Sequence, residues 1–248
     1  MKGERILLSQ GFNVLDHLEY LRLRLIRAIL AFLLASVAGF WLAPWLVQLV
    51  LLRHVGLDGL VFLSPAEALL ARIKLAFALG FVLALPLILY QLWALFVPAM
   101  DQKQRRWTLF LIPGVYALFL LGIAFAVGAV LPMALRFLLG FGGEHLEHEI
   151  SIANYISFVI NFALPFGIIF ELPVVVVGLT RLGILRPAAL ERNRKYTVFV
   201  IFVLAAILTP PDAVSQVMLA VPIILLFELS LLLARWTKPR EERQEREV

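Results

Sequence analysis

The chain has 248 residues, 62% of them hydrophobic and 16% charged, with a net charge of +5 and a mean hydropathy of +0.95. An ordinary soluble domain is about half apolar and about a quarter charged, so the composition excludes one and points to an integral membrane protein. Cysteine is absent, which removes disulfides, thiolate catalysis and cysteine-ligated metals.

Residues 1–24 are polar and basic, and the first long apolar run continues past Val50. No signal peptide is therefore expected, and the N-terminus is expected to stay in the cytoplasm. Apolar runs of about 20 residues mark candidate spans, and six are read at 25–42, 75–96, 109–131, 156–179, 196–208 and 214–233. The fifth has only 13 residues, about 20 Å at the helical rise against a hydrocarbon core of ~30 Å. It has to thin the bilayer locally or pack where water already enters.

Orientation follows from the basic residues of the connections. With the N-terminus inside, segments 1–27, 98–108, 181–195 and 235–248 hold 18 of the 22 Lys and Arg, leaving Arg53, Arg72, Lys74 and Arg136 outside. The expected topology is N-in and C-in, with residues 1–235 as one transmembrane domain and 236–248 as a charged cytoplasmic tail.

The inner N-terminal stretch HLEYLRLRL (17–25) places Leu18, Leu21 and Leu25 on one face and Arg22 and Arg24 off it, the pattern of a helix lying on the membrane surface before turning in. A positive-inside flank accounts for the arginines. It does not account for Asp16 and Glu19, acids placed where a cationic peptide would meet them. On the other side, connections 44–66 and 132–155 contain apolar stretches (45–52 and 150–152) suited to short interfacial helices, and their acids, Asp58, Glu67, Glu144, Glu147 and Glu149, face outward. The third outer connection is only 209–212, so the fifth and sixth helices form a tight hairpin. Pro86, Pro165, Pro173 and Pro222 fall inside spans, where each removes a backbone hydrogen bond and kinks its helix.

No metalloprotease, serine-hydrolase or nucleotide-binding motif is present, and no enzymatic activity, cofactor or metal is expected. His145 and His148 beside Glu144 and Glu149 read as a solvated loop rather than a metal site. Glu171 is the sharpest signal, a carboxylate inside the apolar run FGIIFELPVVVV (166–177). An acid at this depth costs at least ~2.5 kcal/mol to insert, so it faces the bundle or a wet cavity. Its helical face carries Gly167 and Gly178, residues that permit close helix contact or close approach of a ligand. A functional role is favoured over a structural acid hydrogen-bonded to a neighbouring carbonyl. Asp212 reads as the N-cap of the sixth helix, with Gln216 one turn on, a polar spot at the outer end of the hairpin. Glu228 reads as snorkelling toward Arg235, with no further role.

In order, HLEYLRLRL, SPAEALLARIKLAF (64–77), LPLILYQLWALFVPAM (85–100), FGIIFELPVVVV and LTPPDAVSQVMLAVP (208–222) resemble the TatC family, the multi-spanning core of the twin-arginine protein translocase. The similarity runs from about residue 15 to 235. The resemblance implies an all-α integral membrane fold of six transmembrane helices, N-in and C-in, arranged as a cupped bundle with short fifth and sixth helices in the cytoplasmic (inner) membrane. It implies binding of the twin-arginine signal peptides of folded cargo and assembly with TatA- and TatB-like single-span partners. Self-association in the complex and transport driven by the proton-motive force are implied as well, with no cofactor and no nucleic acid.

The resemblance places signal-peptide binding at Glu19, Tyr20, Arg22, Leu95, Phe96, Asp101 and Gln104, an intramembrane partner site at Glu171, and the outer hairpin at Asp212 and Gln216. The chain departs from the family pattern at Tyr20 and Gln104, where the family usually carries glutamates, and in the order Leu95 then Phe96. Glu19 and Asp101 are the acids expected to take over that role. The rival readings are a proton- or ion-coupled transporter with Glu171 as the coupling acid, and a pure membrane scaffold. The lone deep acid and the lack of a visible internal repeat weigh against the transporter.

Overall fold

In the computed structural model the described residues are 14–48, 60–61, 63–96, 102–140, 150–181, 185–208 and 213–236. Helix α1 (Val14–Leu46) is followed by strand β1 (Leu60–Val61) and helix α2 (Pro65–Phe96). Helix α3 (Gln102–Phe125) passes through a π-helical stretch, Ala126–Val130, into α4 (Leu131–Gly140), and these together make the third span. Strand β2 (Ile150–Ser151) leads into α5 (Ile152–Ile169) and α6 (Leu172–Arg181), the two halves of the fourth span. A short helix α7 (Pro187–Arg192) precedes α8 (Arg194–Leu208) and α9 (Ala213–Trp236), the fifth and sixth spans.

All six apolar runs are helical, and five of them are long and apolar enough to cross a bilayer. The exception is α8, with 15 residues, ~22 Å by helical rise, in keeping with the short fifth span. The sixth is not short: α9 has 24 residues, ~36 Å, because helix-forming residues continue on both sides of its apolar run. The expected surface helix at 17–25 is also corrected. Its residues are the first turns of α1, which runs 33 residues without interruption, since no glycine or proline occurs between Val14 and Gly39. At ~50 Å, α1 is much longer than the hydrocarbon core, and its N-terminal turns project beyond it.

Among the four span prolines singled out above, only Pro173 sits at a break. The chain stays helical through Pro86, Pro165 and Pro222. Pro173 has no N–H to offer the carbonyl of Ile169 and its ring crowds that carbonyl, so α5 ends there. The amide of Glu171 turns to the carbonyl of Ile168 (3.1 Å), three residues back, and Val175 resumes the helical pattern on the carbonyl of Glu171 (2.9 Å).

Between helices in lipid there is little hydrophobic drive, and association rests on close packing of small residues. Two crossings have this form. Where α1 meets α2, a Cβ added to Gly80 would lie 2.5 Å from the Cα of Ser36, and one on Gly39 would lie 2.6 Å from the carbonyl oxygen of Ala76. Where α3 meets α5, a Cβ on Gly122 would lie 2.7 Å from the carbonyl oxygen of Phe166 and 2.9 Å from the Cα of Gly167. Around the second crossing Phe162, Phe166, Leu219 and Ile223 form a buried cluster joining the third, fourth, fifth and sixth spans. A second cluster, with Leu75, Leu131, Tyr155 and Ile156, joins the first four. The first span packs chiefly on α2, and the fifth on α9, so the bundle is an arc with these two at its ends.

At the outer end β1 pairs in parallel with β2, Leu60 opposite Ile150, and Glu67 ties the starts of α2 and α5 together. Ser64 and Pro65 open α2 as N-cap and first helical residue, the Ser64 hydroxyl accepting from the Glu67 amide at 3.2 Å. Glu67 in turn accepts from the amide of Leu63 (2.8 Å) and from the Ser151 hydroxyl that caps α5. Sequence reading left Glu67 as an outward acid, although the Ser-x-x-Glu spacing of a capping box was visible in it.

Gly122→Leu is expected to force α3 and α5 apart and to destabilise the protein by about 1–3 kcal/mol, the range for overpacking. Gly178→Leu should leave stability unchanged or raise it by a few tenths of a kcal/mol, since a leucine is the better helix former and a Cβ at Gly178 meets nothing within 4 Å. Thermal unfolding of the two variants in detergent tests the pair.

Candidate functional site

The sequence-predicted residues fall at three separate places. The first gathers the N-terminal turns of α1, the C-terminal end of α2 and the start of α3. Here the Tyr20 hydroxyl donates to the carbonyl of Ala94 at 3.0 Å. The Arg24 guanidinium donates through Nη2 to the Tyr20 hydroxyl and through Nη1 to Oε1 of Gln91 at 2.9 Å, and lies 4.4 Å from the centre of the Tyr20 ring. Tyr20 is therefore a fastener between α1 and α2. Fastening Tyr20 to Ala94 brings HLEYLRLRL against the LWALF end of α2.

Glu19 and Arg22 are exposed on α1, and Leu95 is half-buried beside Ala94. Phe96 is the last residue of α2, and Gln104 lies in the first turn of α3. Asp101 is outside the described residues. Sequence reading assigned no role to Arg24 and Gln91, which this cluster uses. A glutamine near the end of an otherwise apolar span was the signal available, for such a group in a helix end needs a partner.

The second place is Glu171, at the break between α5 and α6, about ten residues or ~15 Å from the end of the span at Arg181. Both of its carboxylate oxygens are buried and make no hydrogen bond of good geometry among the described residues, while the backbone of Phe119 on α3 acts on the carboxylate as a polar neighbour. No carbonyl among the described residues accepts a well-formed hydrogen bond from it. Of the two glycines expected to make its face a contact surface, Gly167 does so, with a Cβ there falling 2.5 Å from the Phe119 ring. Gly178 faces open space.

The third place is the outer hairpin. Asp212 lies outside the described residues, and the Gln216 side-chain amide donates to the carbonyl of Phe202 at 3.0 Å, fixing α9 to α8. At the inner end of the same pair Glu228 makes an ion pair with Arg194, while Arg235 pairs with Glu191 at 2.5 Å. Glu228 thus pairs directly with Arg194, the first residue of α8, rather than with the expected Arg235, which is taken by Glu191 but still feels the charge of Glu228. Among the described residues no group of three or more acidic, histidine or cysteine side chains is placed to hold a metal.

Fold and site together define a polytopic helical membrane protein, with two helix ends fastened at one face and a buried acid inside the bundle. Residues 16–222 match the family described as Sec-independent protein translocase protein (TatC). TatC of Carboxydothermus hydrogenoformans is 40% identical over 240 residues, covering 96% of this chain and 99% of that protein. TatC of Aquifex aeolicus is 40% identical over 235 residues, covering 92% and 98%. A crystal structure described as the twin-arginine translocase receptor TatC superimposes with a TM-score of 0.78 at 40% identity, covering 89% of this chain and 99% of that one. The chain belongs to the TatC family of Sec-independent protein translocases, which sets the transporter reading aside.

Two outcomes follow from the site geometry. Tyr20→Phe removes two hydrogen bonds and is expected to cost about 1–2 kcal/mol. Gln91→Leu should add less in that background than alone, since both act through Arg24, a coupling that a double-mutant cycle of thermal stabilities measures. Glu171→Leu should leave stability unchanged or raise it by about 1 kcal/mol, because it replaces a buried group that makes no well-formed hydrogen bond. A large loss of stability in that variant would favour the structural role.

Proposed function

We propose that this chain is the signal-peptide-binding subunit of a twin-arginine translocase, and that twin-arginine peptides of folded cargo bind where α1, α2 and α3 meet at the inner face. The observation that carries the reading is the hydrogen bond from Tyr20 to the Ala94 carbonyl, which joins the two cytoplasmic motifs into one surface. The orientation proposed is N-in and C-in in the cytoplasmic membrane, supported by the placement of 18 of 22 basic residues on the inner side. TatA- and TatB-like single-span proteins are the proposed partners. Glu171 offers a peptide or a partner helix a buried carboxylate that makes no well-formed hydrogen bond among the described residues.

Two guanidinium groups gain most from carboxylates that accept paired, charge-assisted hydrogen bonds. Tyr20 has no charge and its hydroxyl is already engaged. Exposed Glu19 stands next to it on α1, about 100° around the helix, and Asp101 lies three residues from Gln104. In this reading Glu19 and Asp101 supply the charge, Gln104 is a neutral acceptor, and Arg22, Leu95 and Phe96 border the site.

Glu19→Ala combined with Asp101→Asn is expected to weaken binding of a twin-arginine peptide by about tenfold or more, the worth of one charge-assisted bond. Replacing Gln104 should cost less. Fluorescence anisotropy with a labelled signal peptide, alongside one whose arginines are changed to lysine, makes the measurement. Binding by the double variant equal to the parent's would remove the acids from the site.

A further inference from the structure

Lys74 belongs to neither the peptide site nor the outer fastening at Glu67. It lies nine residues into α2, and the apolar run 75–96 that follows it spans 22 residues, ~33 Å, close to a hydrocarbon thickness of ~30 Å. Lys74 therefore stands at the edge of the hydrocarbon, on the face opposite Tyr20. Its ammonium group donates to the Ser157 hydroxyl of α5 at 3.0 Å, and that hydroxyl donates onward to the carbonyl of Ala153 at 2.7 Å. Among the described residues no acid pairs with Lys74. A lysine at this edge can reach the headgroup layer, and without a counter-charge in the protein its remaining donors face whatever occupies the cleft beside it.

Below Lys74 a cleft of about 520 Å³ runs between α1, α2 and α5. Phe32, Phe77 and Phe81 wall it, with the Phe32 and Phe77 rings stacked at 5.9 Å. From Lys74 to Phe81 on α2, and from Ser157 to Leu164 on α5, the cleft follows seven residues of each helix, ~10 Å inward. Asn161, exposed and lining the cleft, sits one turn or ~6 Å below Ser157. From the interface inward the cleft presents a cation with a hydroxyl, then the Asn161 amide on one wall and Phe77 on the other at about the same depth, and then Phe81 ~10 Å in. A phospholipid presents matching groups: phosphate, ester carbonyl, acyl chain.

We propose that this cleft binds one membrane phospholipid, with Lys74 and Ser157 on the phosphate, the Asn161 amide donating to an ester carbonyl, and an acyl chain against Phe32, Phe77 and Phe81. Lysines near a membrane surface attract anionic lipid headgroups, and one donor of Lys74 on Ser157 leaves two for a phosphate oxygen. The bound lipid would fill the space between α1 and α5, helices that otherwise meet chiefly through α2.

The purified full-length protein, delipidated in detergent, is titrated with phosphatidylglycerol and with diacylglycerol of the same acyl chains, and bound lipid is counted by native mass spectrometry. The expected result is one retained phosphatidylglycerol per chain and no retained diacylglycerol, with binding about tenfold weaker in Lys74→Met and regained in Lys74→Arg. Ala78→Phe, which fills the apolar part of the cleft and leaves Lys74 in place, should lose the lipid as well and serves if Lys74→Met fails to fold. Undiminished binding in either Lys74→Met or Ala78→Phe overturns the proposal. Displacement by inorganic phosphate at concentrations comparable to the lipid would make this a simple anion site and also overturn it. So would crosslinking of a single-span partner from position 74 with no lipid retained, which would assign the lysine to a carboxylate of a partner helix.

Discussion

The structure depends on how closely helix backbones approach in a solvent that gives apolar side chains little reason to associate. Two crossings do this work, Gly39 and Gly80 against Ala76 and Ser36 in the first pair of spans, and Gly122 against Phe166 and Gly167 in the third and fourth. The first crossing lets α1 and α2 run side by side for most of their length, so that their inner ends arrive together. The second crossing lies just before the break at Pro173 and holds the first half of the fourth span against the third, while the second half packs on α9, so that Glu171 at the break is enclosed. Without the first there is no joined surface at Tyr20 and Ala94, and without the second the acid would open to lipid.

Polar side chains divide by what they do within this frame. Glu67, Tyr20 and Gln216 each join two spans through a backbone carbonyl or amide, Glu67 through the amide of Ala153, satisfying a group that lipid could not. Glu171 makes no well-formed hydrogen bond among the described residues, and Lys74 spends only one of its donors, on Ser157. In a bilayer hydrogen-bonding capacity is costly to leave idle, which is why these two positions, one mid-bundle and one at the interface, are assigned to a helical or peptide partner and to a lipid. The proposed peptide site lies at the opposite face, where Tyr20 is spent on fastening and the neighbouring acid Glu19 is exposed.

Much of this was legible in the sequence because hydropathy over ~20 residues reports transfer to lipid directly. The six helices, the short fifth span and the isolation of Glu171 all followed from it. The continuity of α1 did not, since leucines at three- and four-residue spacing suit a helix on the membrane as well as one entering it. The role of Tyr20 was hidden because its partner carbonyl lies 74 residues away, and a carbonyl leaves no side-chain signature. The partner of Glu228 was misjudged for a similar reason, as helical proximity to Arg235 said nothing of Arg194 arriving from the neighbouring helix. The family resemblance supplied the inner site, and the structure supplied the hydrogen bonds of its tyrosine.

The central claim is that the fastened ends of α1 and α2 form the surface that meets a twin-arginine peptide. Photo-crosslinking from side chains placed at Arg22 and Leu92, both exposed near those ends, and from exposed Met133 in α4, toward the opposite end of the third span, tests it directly. The account predicts that a labelled twin-arginine peptide is captured at 22 and 92, that a peptide with its arginines changed to lysine is captured less, and that position 133 captures neither. Capture at 133 with none at 22 or 92 would contradict it.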